Sequence, residues 1–162
     1  MSVFLLSSYS CKRDKDITCD PDIYEANNSF DNAFSLGNVT EELKTFTARI
    51  SKEGDLDFYT ITATEGDHIG IPYDPQYFKI NVNLLLPADM DYDLYVYDES
   101  GTVLGQSTGR DGNEETVVLD WQGTIGFDDS KLFGIEVRPY SGAWDCNDYT
   151  LTVTMSYSES PW

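Results

Sequence analysis

From Thr45 onward the chain alternates apolar and polar residues with a period of two, and this pattern constrains the fold more than any other feature. Phe46, Ala48 and Ile50 alternate with Thr45, Thr47 and Arg49, and Tyr59 and Ile61 with Thr60 and Thr62. Ile80, Val82, Leu84 and Leu86 alternate with Asn81 and Asn83, and Tyr92, Leu94 and Val96 with Asp93, Tyr95 and Tyr97. Further runs cover Val103–Ser107, Glu115–Trp121, Leu132–Arg138 and Tyr149–Met155. Successive side chains of a strand point to opposite faces, so this alternation marks strands with one face in a core and the other in water. Turn-forming groups separate the runs: Glu65-Gly66-Asp67, Pro87-Ala88-Asp89, Glu99-Ser100-Gly101, Arg110-Asp111-Gly112-Asn113 and Ser141-Gly142-Ala143. Eight or nine short strands with polar turns predict an all-β fold, an antiparallel β-sandwich of jelly-roll type. One short helix is expected over Ser29–Leu36, where Phe30, Ala33 and Phe34 share a face behind Asn28 or Ser29 as N-cap.

A chain of 162 residues can bury one substantial core. Its 10 Lys and Arg against 29 Asp and Glu give a formal charge of −19. Such a polyanion repels phosphate backbones and shows no basic patch, which excludes nucleic acid as a partner. Disordered acidic chains are poor in aromatics, whereas this one carries 3 Trp, 11 Tyr and 8 Phe and must fold. No nucleophile elbow, Walker loop or dinucleotide fingerprint occurs. The single histidine, His68, follows a Gly-Asp turn and reads as a surface residue, so no imidazole base is on offer for nucleophilic catalysis. A non-catalytic domain is expected. The alternative is a small jelly-roll glycan hydrolase using paired carboxylates, a chemistry that needs no histidine. Glu136, between Ile135 and Val137, is the acid with the most apolar flanks, although alternation places it on the outer face.

Cys11 follows the short apolar run Val3-Phe4-Leu5-Leu6 and the small residues after it, and precedes the charged stretch Lys12–Asp16. That order looks like the end of a bacterial lipoprotein signal, with Cys11 lipidated and the polar stretch a tether, although Ser8 stands where leucine is usual. On this reading residues 1–20 are a signal remnant or tether, 21–156 the β-sandwich and 157–162 a loose tail. No stretch approaches the ~20 apolar residues that span a bilayer, so a membrane would be met only through the lipid anchor. Cys19 and Cys146 remain as an even pair, and exported chains join such pairs. A Cys19–Cys146 disulfide is therefore expected, worth roughly 3–5 kcal/mol in the chain-entropy model.

Two acid and amide clusters stand out beside the strand pattern, Tyr24-Glu25-Ala26-Asn27-Asn28-Ser29 and Gly54-Asp55-Leu56-Asp57-Phe58-Tyr59. Oxygen-only clusters suit a hard cation such as calcium, while zinc and copper prefer nitrogen and sulfur. Asp89-x-Asp91-x-Asp93 has the spacing that opens an EF-hand loop. It fails as one, with Leu94 where glycine is required and Ser100 where a bidentate glutamate is. Strand alternation accounts for it, with Asp91 and Asp93 facing out.

Five segments in order resemble bacterial pre-peptidase C-terminal domains. They are Glu25–Ser29 with Ala33 and Leu36-Gly37, Gly54–Tyr59 followed by Glu65-Gly66-Asp67, Asp91–Gly101, Gly134–Gly142 and Tyr149–Val153. The likeness runs from Asp22 to Thr154 and implies a non-catalytic jelly-roll sandwich attached to exported proteins. The related clostridial collagen-binding domains hold calcium near the N-terminal segment. The resemblance therefore implies calcium ligands at Glu25, Asn27 and Asn28, with Asp55 and Asp57 supplying the strand side. Ala26 replaces the usual proline, Asn28 an often-seen aspartate, and Ile23 a further glutamate, which implies a weaker site. For partner binding, Tyr95 and Tyr97 share the outer face of their strand, with Tyr73, Tyr77, Tyr140 and Trp144 on nearby turns. Exposed aromatics offer apolar area and a polar handle to a protein or polysaccharide. The sequence predicts an exported module, secreted or lipid-anchored at the bacterial cell envelope, stabilised by calcium and engaging such a partner.

Overall fold

The computed structural model describes residues 19–65, 77–110, 112–142 and 144–162. Cys11, His68, Tyr73 and most of the expected tether lie outside the described residues. Nine strands follow in chain order: β1 (Phe34–Val39), β2 (Leu43–Ala48), β3 (Asp57–Ala63), β4 (Tyr77–Leu85), β5 (Tyr92–Tyr97), β6 (Val103–Ser107), β7 (Glu114–Gln122), β8 (Lys131–Pro139) and β9 (Tyr149–Ser158). They form the expected β-sandwich, with a five-stranded sheet in the order β1-β3-β8-β5-β6 facing a four-stranded sheet in the order β2-β9-β4-β7. β1 lies parallel to β3, and the other ladders are antiparallel.

The alternation seen in the sequence sorts side chains as the strands require. Tyr59, Ile61, Leu94, Val96, Ile135 and Val137 point inward from the larger sheet. They meet Phe78, Ile80, Val82, Leu84, Leu151 and Val153 from the smaller one, all buried. Each such side chain stabilises the fold by about 1.5–3 kcal/mol relative to leaving it in water.

The expected helix over Ser29–Leu36 is absent. Phe30–Asn32 make one 3-10 turn and the chain enters β1 at Phe34, where pairing with β3 satisfies its backbone. Its apolar residues serve separate surfaces, Phe34 packing edge-on to Tyr24 (ring centroids 5.0 Å apart) and Phe30 to Tyr97 (5.9 Å). The last strand runs two residues into the stretch expected as a loose tail. β9 continues to Ser158, opposite Tyr77, and the Lys79 ammonium stands 3.8 Å from the centre of the Trp162 ring. Among the described residues no helix is long and apolar enough to cross a membrane.

Candidate metal centre

One end of the sandwich is closed by the segment that precedes the first strand. The Cys19 amide donates to the Ser51 carbonyl (3.0 Å) and the Phe58 amide to the Asn27 carbonyl (2.8 Å). Asp22 accepts the Tyr24 and Arg49 amides through its two oxygens, each at 2.8 Å. A disulfide joins Cys19 to Cys146, with the Cα atoms 5.4 Å apart. Glu25 and Asn27 are thereby laid against the start of β3. There Gly54, at a φ of +78°, makes the turn that delivers Asp55, and the strand period turns Asp57 inward with Tyr59.

The carboxylates are half satisfied. Asp55 Oδ2 accepts the Ser51 amide (2.7 Å) and hydroxyl (2.8 Å), Asp57 Oδ2 accepts the Tyr149 hydroxyl, and Glu25 Oε2 accepts the Asn28 side-chain amide (3.0 Å). Among the described residues, the second oxygen of each, together with Asn27 Oδ1, is buried without a hydrogen-bond partner. The Lys52 ammonium stands 3.8 Å from Asp55 Oδ1. Glu25, Asp55 and Asp57 each place a carboxylate oxygen within 4.8 Å of the other two.

Burial and mutual repulsion act on these groups. The Asp57 carboxyl is pushed up to about 8 by burial first; the Tyr149 hydroxyl pulls it back, and the charges of Asp22, Asp55 and Glu25 raise it further. Glu25 is raised by burial and by Asp55. Behind Asp57, Tyr149 shares a hydrogen bond with the Tyr59 hydroxyl (2.7 Å), and burial raises both phenols.

Of the expected ligands, Glu25, Asp55 and Asp57 are brought together, and Asn27, whose carbonyl accepts the Phe58 amide, also carries a buried Oδ1 with no hydrogen-bond partner among the described residues. Asn28 contributes differently, bracing Glu25 through its Nδ2. Sequence reasoning missed Tyr149 and Ser51, which donate to Asp57 and Asp55, and Tyr59, which bonds the Tyr149 hydroxyl. Inward tyrosines on strands read as core, and nothing local ties Tyr149 to a carboxylate 92 residues earlier.

The aromatics expected to bind a partner do not share one surface. Tyr95 and Tyr97 lie half-buried on the outer face of the larger sheet, Tyr77 on that of the smaller, and Trp144 packs against the core. Tyr140 is 43% exposed, with the Arg110 guanidinium 3.4 Å from its ring centre. Tyr97 is committed structurally. Its hydroxyl donates to Glu136, which points outward as expected yet has no exposed surface, because Arg138 also grips it with two bonds of 2.8 and 2.9 Å. Asp93 also faces out but is only 6% exposed, paired with Arg110 at 2.8 Å.

No family model and no curated protein matches this chain. Among solved structures it is similar to the pre-peptidase C-terminal domain of a collagenase from Bacillus anthracis, at 13% identity and a TM-score of 0.47, covering 76% of this chain and 94% of that one. It is also similar to a carbohydrate-binding module solved with calcium and xylotriose, at 12% identity and a TM-score of 0.30, covering 73% and 95%. A third likeness is to the enzymatically active domain of a bacteriophage tailspike protein, at 11% identity and a TM-score of 0.36, covering 74% of this chain and 18% of that one. Likenesses of this size carry no conclusion about what the chain does.

Proposed function

We propose that this chain is a non-catalytic binding module, exported from the cell, whose N-terminal segment is clamped to the β-sandwich by calcium at Glu25, Asn27, Asp55 and Asp57. The observation that carries this reading is the set of four buried side-chain oxygens without hydrogen-bond partners, three of them on clustered carboxylates. Unpaired carboxylates are costly to bury, and a hard divalent cation offsets both the desolvation and the repulsion. The donor set is all oxygen, which favours calcium over zinc or copper. Bound there, calcium would supply charge and cross-linking, with backbone carbonyls or water completing its usual six to eight ligands.

Export is supported by the disulfide, which persists in oxidising compartments. Residues before Cys19, which the disulfide fixes to the sandwich, then serve as signal or tether, with Cys11 the residue that would carry a lipid. The partner is a protein or a polysaccharide outside the cytoplasm, since the charge repels nucleic acid. The acids that the sequence singled out do not offer a glycan a carboxylate. Asp55 and Asp57 have no exposed surface, and Glu136 is consumed by Arg138 and Tyr97.

Calorimetric titration of chelator-treated protein with calcium tests the clamp. One binding event is expected, and its loss in the Asp55→Asn/Asp57→Asn double variant. A flat titration of folded wild-type protein would sink the proposal.

A further inference from the structure

At the end of the sandwich away from the carboxylate cluster, the larger sheet is incomplete. β5 stops opposite Gly134, so Lys131, Leu132 and Phe133 of β8 pair with β3 on one side and, among the described residues, with no strand on the other. The chain leaves β5 through the Asp98–Gly101 turn and returns as β6, only five residues long. β6 closes on the smaller sheet at Gly105, where a Cβ would stand 2.7 Å from Val117 Cγ1. Beyond that contact the sandwich gapes, leaving a cleft of about 620 Å³.

The lining shows what the cleft can hold. Four successive residues, Ser130 to Phe133, border it. Three of them open β8, and it is there that the strand has a partner on the β3 side only among the described residues, so its other backbone edge faces the cleft. The floor is apolar, made by Leu104, Leu119, Trp121 and Phe133. Leu104 is 45% and Leu132 44% exposed. The rim carries three carboxylates, Asp98, Glu99 and Asp120, against one ammonium, Lys131. Asp98 stays ionised, held below the usual carboxylate range by the Ser100 hydroxyl and then the Thr102 amide. The Trp121 indole N–H is already donated to the Asp129 carbonyl (3.1 Å), and its ring stacks on Phe78 (centroids 5.3 Å apart) with the Lys131 ammonium 5.3 Å from its centre, so it enters the lining as a packed wall.

We infer that this cleft takes an extended segment of a partner protein, aliphatic side chains toward Leu119 and Trp121 and Lys or Arg beside them, added as a strand to the free edge of β8. Edge addition gives affinity through main-chain hydrogen bonds and specificity through side-chain pockets. The acidic rim selects the flanking charge, and cationic segments reach it faster than neutral ones. The inference rests on the binding-module reading and names the partner for it. It does not depend on the cation, which would bind at the opposite end of β3.

A random peptide library displayed on phage and selected against the calcium-loaded protein is expected to enrich Lys or Arg next to aliphatic residues. The selected peptide should move the backbone amide resonances of Leu132 and Phe133 most. It should lose at least about tenfold in affinity for the Glu99→Lys/Asp120→Lys variant, at unchanged melting temperature, because both residues are exposed. No enrichment, enrichment of acidic or uncharged peptides, undiminished affinity for the charge-reversed variant, or resonance shifts centred elsewhere would each overturn the inference. Calcium titration of the same variants reads the other end of the molecule. Failure of the cleft with the calcium event intact is thereby distinguished from failure of the clamp.

Discussion

Asp57 couples the cluster to pH. An unfolded aspartate titrates near 4. In the folded protein without a bound cation, burial, eased by the Tyr149 hydroxyl and reinforced by neighbouring charges, pushes this carboxyl up to about 8. Between those values the folded state keeps a proton that the unfolded state has released. Stability is then fully present below about pH 4 and is lost as pH rises toward 8, by at most about 1.4 kcal/mol per pH unit for one proton. Calcium bound as proposed would hold the ionised form and remove this loss. Urea unfolding in chelator should show lower stability at about pH 8 than at about pH 5, with the difference reduced by saturating calcium and by Asp57→Asn. A chelated protein more stable at the higher pH would contradict the assignment. Tyr97 gives a second test at this scale. Tyr97→Phe deprives buried Glu136 of a donor and should cost about 1–3 kcal/mol, whereas Tyr95→Phe, whose hydroxyl lies 3.5 Å from Asp93, should cost much less. Equal stabilities in denaturant melts would remove the structural role given to Tyr97. The ligand role proposed for Asp57 comes from the family resemblance, and the structure turns that residue inward at the start of β3. The Tyr149 contact was not legible in the sequence, because it joins strands far apart in it.

At the scale of elements, eight strands were readable and β1 was not, for a local reason. The β1–β3 ladder slips between Ser35 and Asn38, where Gly37 has a φ of +81°. Its buried residues, Leu36 and Val39, therefore stand three apart and mimic helical spacing. The 3-10 turn before β1 is held by shape. Phe30 lies over Gly134 of β8, where an added Cβ would come within 2.6 Å of its ring. Gly134→Ala should lift Phe30 and lower stability by about 1–3 kcal/mol, and Phe30→Ala in the same background should abolish the clash without restoring the lost packing. A Gly134→Ala protein as stable as wild type would refute this docking. The N-terminal segment depends on the disulfide in the same sense. Cys19 anchors the segment that carries Glu25 and Asn27, and the bond closes 127 residues. Cys19→Ser/Cys146→Ser should weaken calcium binding as well as stability, the latter by roughly 3–5 kcal/mol in the chain-entropy model. Unchanged calcium affinity in the folded double variant would separate the segment's placement from the disulfide.

For the molecule as a whole, a charge of −19 on one sandwich raises a question that stability measurements must separate. Any cation screens the self-repulsion of so acidic a surface and stabilises the fold modestly. A built site behaves differently, because a ligand that binds only the folded state stabilises it in proportion to the logarithm of its concentration over Kd. At about 100 times Kd the gain is about 2.7 kcal/mol, which for a domain of this size raises the Tm by roughly 5–10 °C. Magnesium discriminates further, since it demands a small octahedral site and gives up its waters reluctantly, whereas calcium accepts irregular carboxylate clusters. At fixed ionic strength, calcium should raise the Tm by several degrees and magnesium at the same concentration by much less. Glu25→Gln should lose most of the calcium increment while keeping the response to sodium chloride, because it removes one charge from the cluster and leaves the acidic surface nearly intact. If magnesium, sodium at matched ionic strength and calcium all shift the Tm equally, or if Glu25→Gln responds as the wild type does, the effect is general screening and the four buried oxygens hold no ion.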